Sequence, residues 1–176
     1  LRLKSFMRVL GIDPSSQATG FGIIEHADNQ YKVEAYGTIK PSRRLPLHEK
    51  LNEIKARLEE LIAAYNPEEV AIESPFYAQN IKTALILGQV RGAVLVAVAS
   101  SRCSLSEYSA LEIKKAVTGY GQAEKQQVNT MVKALLNIEA ESLEPDASDA
   151  LAAAYCHLNT RLFQKKVEES TSRGRE

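Results

Sequence analysis

The sequence predicts a single mixed α/β domain in which helices cover both faces of a five-stranded sheet. Its length of 176 residues is enough for one well-packed domain. Three strand-like segments follow one another near the beginning, with only short turns between them. Helical and strand-like segments alternate afterwards, which is the order expected when parallel strands are joined by helices. Together these observations predict a mixed sheet.

The first three segments are predicted to form an antiparallel meander. Residues Met7 to Ile12 are apolar and β-prone, and the turn formers from Asp13 to Ser16 end them. A second strand resumes over Gly20 to His26. Residues Tyr31 to Lys40 alternate apolar and polar side chains, which is the period of a half-buried strand. Because the connecting turns are short, neighbouring strands are expected to pair in antiparallel orientation.

The middle of the chain predicts a helix followed by a buried strand. Leucines and isoleucines recur between Leu47 and Ile62 at alternating intervals of four and three, and Asn66-Pro67 ends the helix. The segment Glu69 to Glu73 is then short and mostly apolar between its two glutamates. Because this segment follows a helix, we expect it to lie parallel to the first strand.

The remaining pattern completes the domain and sets its limits. Further along, we predict a helix over Gln79 to Ala99, a strand over Ser104 to Tyr108, and helices over Ala110 to Val117, Ala123 to Leu136 and Asp146 to Phe163. The domain therefore covers residues 7–163, with residues 1–6 as an N-terminal extension. Residues 164–176 are charged and contain few apolar side chains, which predicts a disordered tail.

Composition places the chain among ordinary globular proteins. Apolar residues make up 44% of it and charged residues 25%, and the formal net charge is zero. Zero net charge counts mildly against a nucleic-acid-binding protein, but it does not describe how charges are distributed over the surface. The two cysteines have no metal-type spacing, and no uninterrupted apolar run is long enough to span a bilayer. These features predict a cytoplasmic protein with no membrane partner.

Two aspartates, Asp146 and Asp149, stand in the stretch LEPDASDALAAAY, where a proline-marked loop gives way to an alanine-rich helix. Aspartate is common as a helix cap, which accounts easily for one of the pair. Capping accounts less well for both, because residues three apart share a helix face and like charges there repel. The alternative is that one helix presents both carboxylates to the same site.

Two further carboxylates are predicted to lie nearby. Asp13 and Glu73 each stand at the carboxyl end of a predicted parallel strand, the place where active residues gather in such sheets. Grouped carboxylates raise one another's pKa, a cost that a hard divalent cation removes. Oxygen ligands suit Mg²⁺ or Mn²⁺, and two such ions can promote in-line displacement at phosphorus. The sequence thus predicts a metal-dependent phosphodiester-cleaving site at these four residues.

Four segments resemble the RuvC family of Holliday-junction resolvases, and they read GIDPSSQATGFGII, VAIESPFYAQNIKTALILGQVRGAV, LEIKKAVTGYGQAEKQQV and PDASDALAAAYCH. They occur in the family's order and extend from about Met7 to Leu158. The resemblance implies a ribonuclease H-like fold and assigns Asp13, Glu73, Asp146 and Asp149 to catalysis and metal binding. It implies two Mg²⁺ ions per site, for which Mn²⁺ substitutes.

The resemblance also implies an assembly and a substrate. A homodimer would bind a four-way DNA junction and make two symmetric nicks, leaving 5′-phosphate and 3′-hydroxyl ends. A RuvA–RuvB branch-migration complex is implied as a partner. Phe76 is implied as a wedge at the junction centre, and Lys114 and Lys125 as phosphate contacts. Weaker candidates for DNA contact are Tyr77, Gln79, Asn80 and Arg91.

The structural alternatives for these residues stay open at this point. From position alone, Phe76 and Tyr77 fit partly buried loop aromatics equally well, and most surface lysines are merely solvated. The helix over residues 79–99 is apolar on more than one face, so it is either buried in the core or packed on a second copy of the chain. Ser15 replaces the glycine usual in the family, which would strain a turn that needs a positive φ there.

Three other functions fit parts of the pattern. The stretch Gly11 to Gly20 resembles the phosphate loop of actin-type and sugar kinases, but that architecture needs a second such domain, for which 176 residues are too few. A ribonuclease H acting on RNA–DNA hybrids would use the same carboxylates. A junction-binding protein without activity would keep the fold, although the complete set of four acids argues against it.

Overall fold

The computed structural model describes residues 6–74 and 80–173, which form one five-stranded sheet flanked by helices. The strands are β1 (Met7–Asp13), β2 (Thr19–Ala27), β3 (Gln30–Ile39), β4 (Glu69–Glu73) and β5 (Ser104–Tyr108). Their order across the sheet is β3-β2-β1-β4-β5. The first three strands pair antiparallel, and β4 runs parallel to both β1 and β5. The predicted meander and the predicted parallel strand are both confirmed.

Helices cover both faces of this sheet, as the sequence predicts. They are α1 (Leu47–Tyr65), α2 (Ile81–Ala99), α3 (Ala110–Thr118), α4 (Lys125–Leu135) and α5 (Pro145–Arg173). One buried apolar cluster joins the sheet to α1 and α2, and a second cluster on the opposite face joins it to α3, α4 and α5. The core therefore consists of two layers, one on each side of the sheet.

Alternation along the central strands decides which residues face α5. In β1, Leu10 and Ile12 belong to the cluster under α1 and α2, whereas Val9 belongs to the cluster under α5. In β4, Ala71 lies on the α5 side and Ile72 on the other. Because side chains alternate between the faces of a strand, the last residue of each strand, Asp13 or Glu73, also faces α5.

Glycines in β1 and β2 let the backbone of α5 lie directly on the sheet. A β-carbon added to Gly20 would lie 1.9 Å from the carbonyl oxygen of Asp146, and one added to Gly11 would lie 1.9 Å from that of Ala150. At Gly22 the same atom would lie 2.6 Å from the side chain of Leu151. No other residue type fits at the first two positions without moving backbone. These glycines fix the height of the first turns of α5 above the sheet.

Helix α5 is longer than the sequence predicts. We expected it to end near Phe163 and to be followed by a disordered tail, but it continues to Arg173. Residues 164–171 are exposed, so burial does not hold this part in place. Lysine, glutamate and glutamine are good helix formers, and adding residues to an existing helix avoids the cost of starting a new one. The composition that suggested disorder therefore also permits helix extension.

Helix α2 is apolar but lies mostly on the surface. Its length and composition alone would allow it to span a membrane, and only 22% of its most apolar 18 residues is buried inside the protein. Residues Ile81, Leu85 and Val96 are exposed, and a β-carbon at Gly88 or Gly92 would meet no atom within 4 Å. These five residues share one face of the helix, which we call the α2 stripe. Of the two alternatives that the sequence leaves open for this helix, full burial in the core does not hold, because one face of α2 is exposed.

Candidate active site

Asp13 and Glu73 lie side by side at one edge of the sheet. Asp13 ends β1, Glu73 ends β4, and the two strands are parallel neighbours with Ile12 paired to Ile72. Each carboxylate comes one residue after that pair, so the two are separated by about one strand spacing, roughly 4.8 Å between backbones. This confirms the arrangement expected from the strand order.

Asp146 and Asp149 reach the same edge from above. Both stand in the first turns of α5, and the backbone of Asp146 contacts Gly20 next to the end of β1. Their spacing of three residues places them on one side of the helix. Two carboxylates from the sheet and two from the helix therefore approach one another.

Asp13 is close enough to the other three carboxylates for their charges to act on it. Burial raises the pKa of Asp13 to about 7, and the negative charges of Asp149, Asp146 and Glu73 contribute to this increase. Burial is also the main reason that the pKa of Glu73 is raised, followed by the charge of Asp149. A carboxylate cluster of this kind is unfavourable unless cations neutralise it.

Two lysines place positive charge beside the four carboxylates. Lys125 begins α4, and its Nζ lies 3.2 Å from Oδ2 of Asp149. The charge of Asp149 raises the pKa of Lys125, so this lysine stays protonated. Lys114 in α3 is half-buried, and its charge acts against the rise in the pKa of Glu73. Both lysines predicted to contact phosphate thus lie beside the carboxylates.

The turn after Asp13 is closed by hydrogen bonds between Ser15 and Thr19. The hydroxyl of Thr19 donates to the carbonyl oxygen of Ser15 at 2.5 Å and accepts the N–H of Ser15 at 3.2 Å. Thr19 is fully buried. In the described part of the chain, the non-glycine residues with positive φ are Asp28, Asn29, Asn66 and Asn137. Ser15 is not among them, so its backbone has no strain at this turn that a glycine would relieve.

The remaining predicted DNA contacts are only partly visible. Phe76, Tyr77 and Gln79 lie outside the described residues. Asn80 is the N-cap of α2, where its Oδ1 accepts the N–H groups of Lys82 at 2.9 Å and Thr83 at 3.3 Å. The structure therefore gives Asn80 a capping role, and a DNA contact by this residue stays a prediction.

Arg91 has a position that the sequence did not indicate. We considered it a weak candidate for DNA contact, but its guanidinium points toward the sheet. Nη1 donates to the carbonyl oxygen of Glu73 at 3.0 Å, and Nη2 pairs with Oε1 of Glu107 at 2.6 Å. Its side chain is only 15% exposed. Arg91 therefore contacts the backbone of a site residue.

A second polar network, on the α5 side of the sheet, joins β4 and β5 to α5. The hydroxyl of Tyr108 lies 2.7 Å from Nδ1 of His157, and Nε2 of that buried histidine lies 2.5 Å from Oε2 of Glu69. These distances fit a neutral imidazole that accepts from Tyr108 and donates to Glu69. Nε of Arg161 lies 3.1 Å from the other oxygen of Glu69. The sequence marks His157 only as a histidine too far along α5 to join the carboxylates.

The donor set fits a hard divalent cation. Asp13, Glu73, Asp146 and Asp149 offer only oxygen atoms, which Mg²⁺ and Mn²⁺ prefer. The raised pKa of Asp13 reflects burial and mutual repulsion, and a bound cation would oppose both. Among residues 6–74 and 80–173, no three ligand side chains stand close enough to hold one ion as they are placed. The fit therefore rests on donor chemistry and shared electrostatics.

The family model and the most similar relatives point to one family. The family model described as crossover junction endodeoxyribonuclease RuvC matches residues 9–157. A protein of that name from Alkaliphilus metalliredigens is 44% identical over 90% of this chain and 96% of its own length. A protein of the same name from Geobacter metallireducens is 47% identical over 88% of this chain and 93% of its own length. The structure of Thermus thermophilus RuvC in complex with a Holliday junction substrate is similar with a TM-score of 0.81 and 31% identity, covering 86% of this chain and 93% of that one.

Proposed function

Because the chain belongs to the RuvC family of crossover junction endodeoxyribonucleases, we propose that Asp13, Glu73, Asp146 and Asp149 are its catalytic site. The enzyme is a structure-selective endonuclease that resolves Holliday junctions in DNA recombination and repair. One observation carries the site assignment, namely that two neighbouring parallel strands end in Asp13 and Glu73 at the edge of the sheet where the first turns of α5 carry Asp146 and Asp149.

The enzyme is a metal-dependent nuclease, and we infer that Mg²⁺ is its metal, with two ions per site and Mn²⁺ as a substitute. The four carboxylates would hold these ions. When bound, such ions polarise the scissile phosphate and favour attack by water. The all-oxygen donor set supports this choice, because zinc sites in proteins usually contain histidine or cysteine.

The chain's own groups prepare the site for a phosphodiester. Asp13 and Glu73 are fixed because they end neighbouring strands of the sheet, and α5 fixes the other two by backbone contact. Lys125 and Lys114 contribute positive charge beside these acids, which suits contacts with the phosphate oxygens. Asp13 and Glu73 are half-buried, which strengthens the electrostatic interactions that these two groups make. The site thus combines acidic side chains fixed by the fold with two lysines beside them.

A homodimer is the assembly that best explains α2. Its stripe of exposed apolar side chains and glycines would be a poor surface for a monomer, because large exposed apolar patches mark interaction sites. Gly88 and Gly92 have open space above them, so a second α2 can approach closely. A two-fold axis at this helix would give each protomer one strand to cut, which accounts for two symmetric nicks.

Residues between Ser74 and Asn80 follow the catalytic Glu73 and precede α2 in the chain. This position supports Phe76 as a wedge between bases at the junction centre, with Tyr77, Gln79 and Asn80 as further DNA contacts. The 5′-phosphate and 3′-hydroxyl products, cytoplasmic location and cooperation with RuvA–RuvB are proposed from the family resemblance.

The deciding experiment compares three substrates of matched sequence, which are a labelled synthetic four-way junction, a linear duplex and an RNA–DNA hybrid. Each is incubated with Mg²⁺ or with EDTA. Paired symmetric nicks in the junction alone, lost in EDTA, would support the proposal. Cleavage of the hybrid would favour a ribonuclease H, and tight junction binding without cleavage would favour an inactive binding protein. In a separate assay, ATP binding by the purified chain would revive the kinase alternative.

A further inference from the structure

We propose that Arg91 is a positioning residue for Glu73. Arg91 holds Glu73 in its active orientation and links it to helix α2. This inference rests on the proposed catalytic role of Glu73. It concerns a residue of α2, which contributes none of the four carboxylates.

The argument begins with the peptide bond that follows Glu73. The carbonyl oxygen of Glu73 accepts a hydrogen bond from Nη1 of Arg91 at 3.0 Å. On the other side of the same peptide, the N–H of Ser74 donates to the carbonyl oxygen of Tyr108 at 2.7 Å. Both polar groups of the peptide are therefore held, and the orientation of the Glu73 α-carbon is restricted from one side by the sheet and from the other by α2.

Glu107 fixes the guanidinium that makes this contact. Its Oε1 lies 2.6 Å from Nη2 of Arg91. The planar guanidinium presents its donors in a fixed geometry, so one oxygen partner determines the direction of the other hydrogen bond. Lysine has a single nitrogen at the end of a flexible chain and cannot reproduce two donors held in one plane. The arrangement thus requires arginine and not merely a positive charge.

The end of β5 serves both faces of the sheet. Glu107 contacts Arg91 on the α2 side, whereas the next residue, Tyr108, contacts His157 on the α5 side. Residue Glu73 is paired in register with Tyr108. Movement of α2 would therefore reach Glu73 through Arg91, while α5 is tied to the same strand pair by a separate network. Among these contacts, the one made by Arg91 is the one that comes from α2.

Low exposure argues against the simplest alternative, a role in DNA binding. The Arg91 side chain is 15% exposed and its guanidinium is engaged on two nitrogens. A phosphate contact would have to break a charge-assisted bond to Glu107, which is stronger than a neutral one. Loss of Arg91 is expected to act on the orientation of Glu73 and to leave junction affinity nearly unchanged.

The test uses Arg91→Gln and Arg91→Lys, with Arg57→Gln as the matched control because Arg57 forms an exposed pair with Glu60 on α1. The first readout is the single-turnover cleavage rate at saturating junction, beside junction affinity in EDTA. We expect both Arg91 variants to lower the rate about 10- to 100-fold, the usual effect of removing an outer support of a ligand. Junction affinity should stay within about twofold, and the control should match the wild type.

The second readout is Mn²⁺ affinity measured by calorimetry on the DNA-free protein, together with the thermal unfolding midpoint. Mn²⁺ binding should weaken about 10-fold in the Arg91 variants and not in the control. Unchanged rate and unchanged Mn²⁺ affinity would overturn the proposal, and so would a rate loss matched by equal loss of junction affinity or of folded protein. If the wild type binds Mn²⁺ but cuts no junction, the proposed function fails, and the Mn²⁺ measurement still decides the role of Arg91.

Discussion

Gly20 and Asp146 are in such close backbone contact that a β-carbon on the glycine would lie 1.9 Å from the aspartate carbonyl oxygen. The contact joins β2 to the first turn of α5, next to the end of β1 that carries Asp13. A β-carbon at that distance would force the backbone to move, because the nearest atoms belong to the backbone of α5 and not to a flexible side chain. The position of Asp146 and Asp149, two of the four carboxylates that we propose as catalytic, therefore depends on the absence of one methyl group.

Gly20→Ala should consequently impair both stability and cleavage. Forcing an extra carbon into a packed contact typically costs about 1–3 kcal/mol, and the displacement falls on Asp146. We expect a lower free energy of unfolding in urea and a loss of junction cleavage larger than the loss of folded protein. Gly37→Ala is the control, because a β-carbon there would meet only the ring of Phe21, at 3.2 Å. Equal behaviour of the two variants would argue against the contact's importance.

Asp13→Asn should abolish cleavage and stabilise the metal-free protein at neutral pH. The pKa of Asp13 is raised from 3.8 to about 7, mainly by burial, so ionisation is easier in the unfolded chain. Wild-type stability from this group is therefore complete below about pH 4 and is lost as pH rises through 7, by up to about 4 kcal/mol. Asparagine has no such dependence. Urea unfolding in EDTA at pH 5 and pH 8 tests this, and parallel pH profiles for the two proteins would contradict it.

His157 should make the protein sensitive to acid in the opposite direction. Burial lowers the pKa of His157, although Glu69 partly opposes the shift, so the unfolded chain takes up a proton more readily than the folded one. Stability from this group is present above about pH 6.5 and decreases as pH falls below it. His157→Gln should lose stability at pH 7.5 and show less further loss between pH 7 and 5 than the wild type. Asp13 and His26 are common to both proteins, so the difference between their pH profiles reports His157.

Leu85→Glu should separate the proposed dimer without unfolding the protomer. Leu85 lies in the α2 stripe and is 65% exposed, so a charge there costs little within one chain but is unfavourable between two apolar helices. Analytical ultracentrifugation should show a monomer, and paired nicking should be lost. Phe163→Glu is the control, since Phe163 is equally exposed on α5. A dimer that survives Leu85→Glu would place the interface elsewhere.

Phe76→Ala should reduce cleavage more than junction binding. A wedge acts by opening base stacking at the junction centre, whereas affinity comes chiefly from phosphate contacts. Single-turnover rates and junction affinity in EDTA separate the two effects. Unchanged turnover would remove the wedge role from Phe76.

Local sequence predicted the positions of the four carboxylates better than the contacts that support them. Asp13 and Glu73 could be placed because turn formers or a helix fix where each strand ends, and parallel pairing then brings those ends together. Arg91 and Glu107 come from different elements, and nothing near either residue in the sequence indicates the other. The glycine contacts with α5 were also missed, because a glycine in a strand has several explanations and only three-dimensional packing distinguishes them.

The convergence of β1, β4 and α5 also determines when, during synthesis and folding, the four acids come together. Asp13 leaves the ribosome long before Asp146 and Asp149, which lie more than a hundred residues later in the chain. Only a chain that has been synthesised through α5, and has laid that helix on its glycine contacts, unites all four acids. A nascent or half-folded copy thus lacks the complete set of four acids, so the proposed site exists only once α5 is folded onto the sheet.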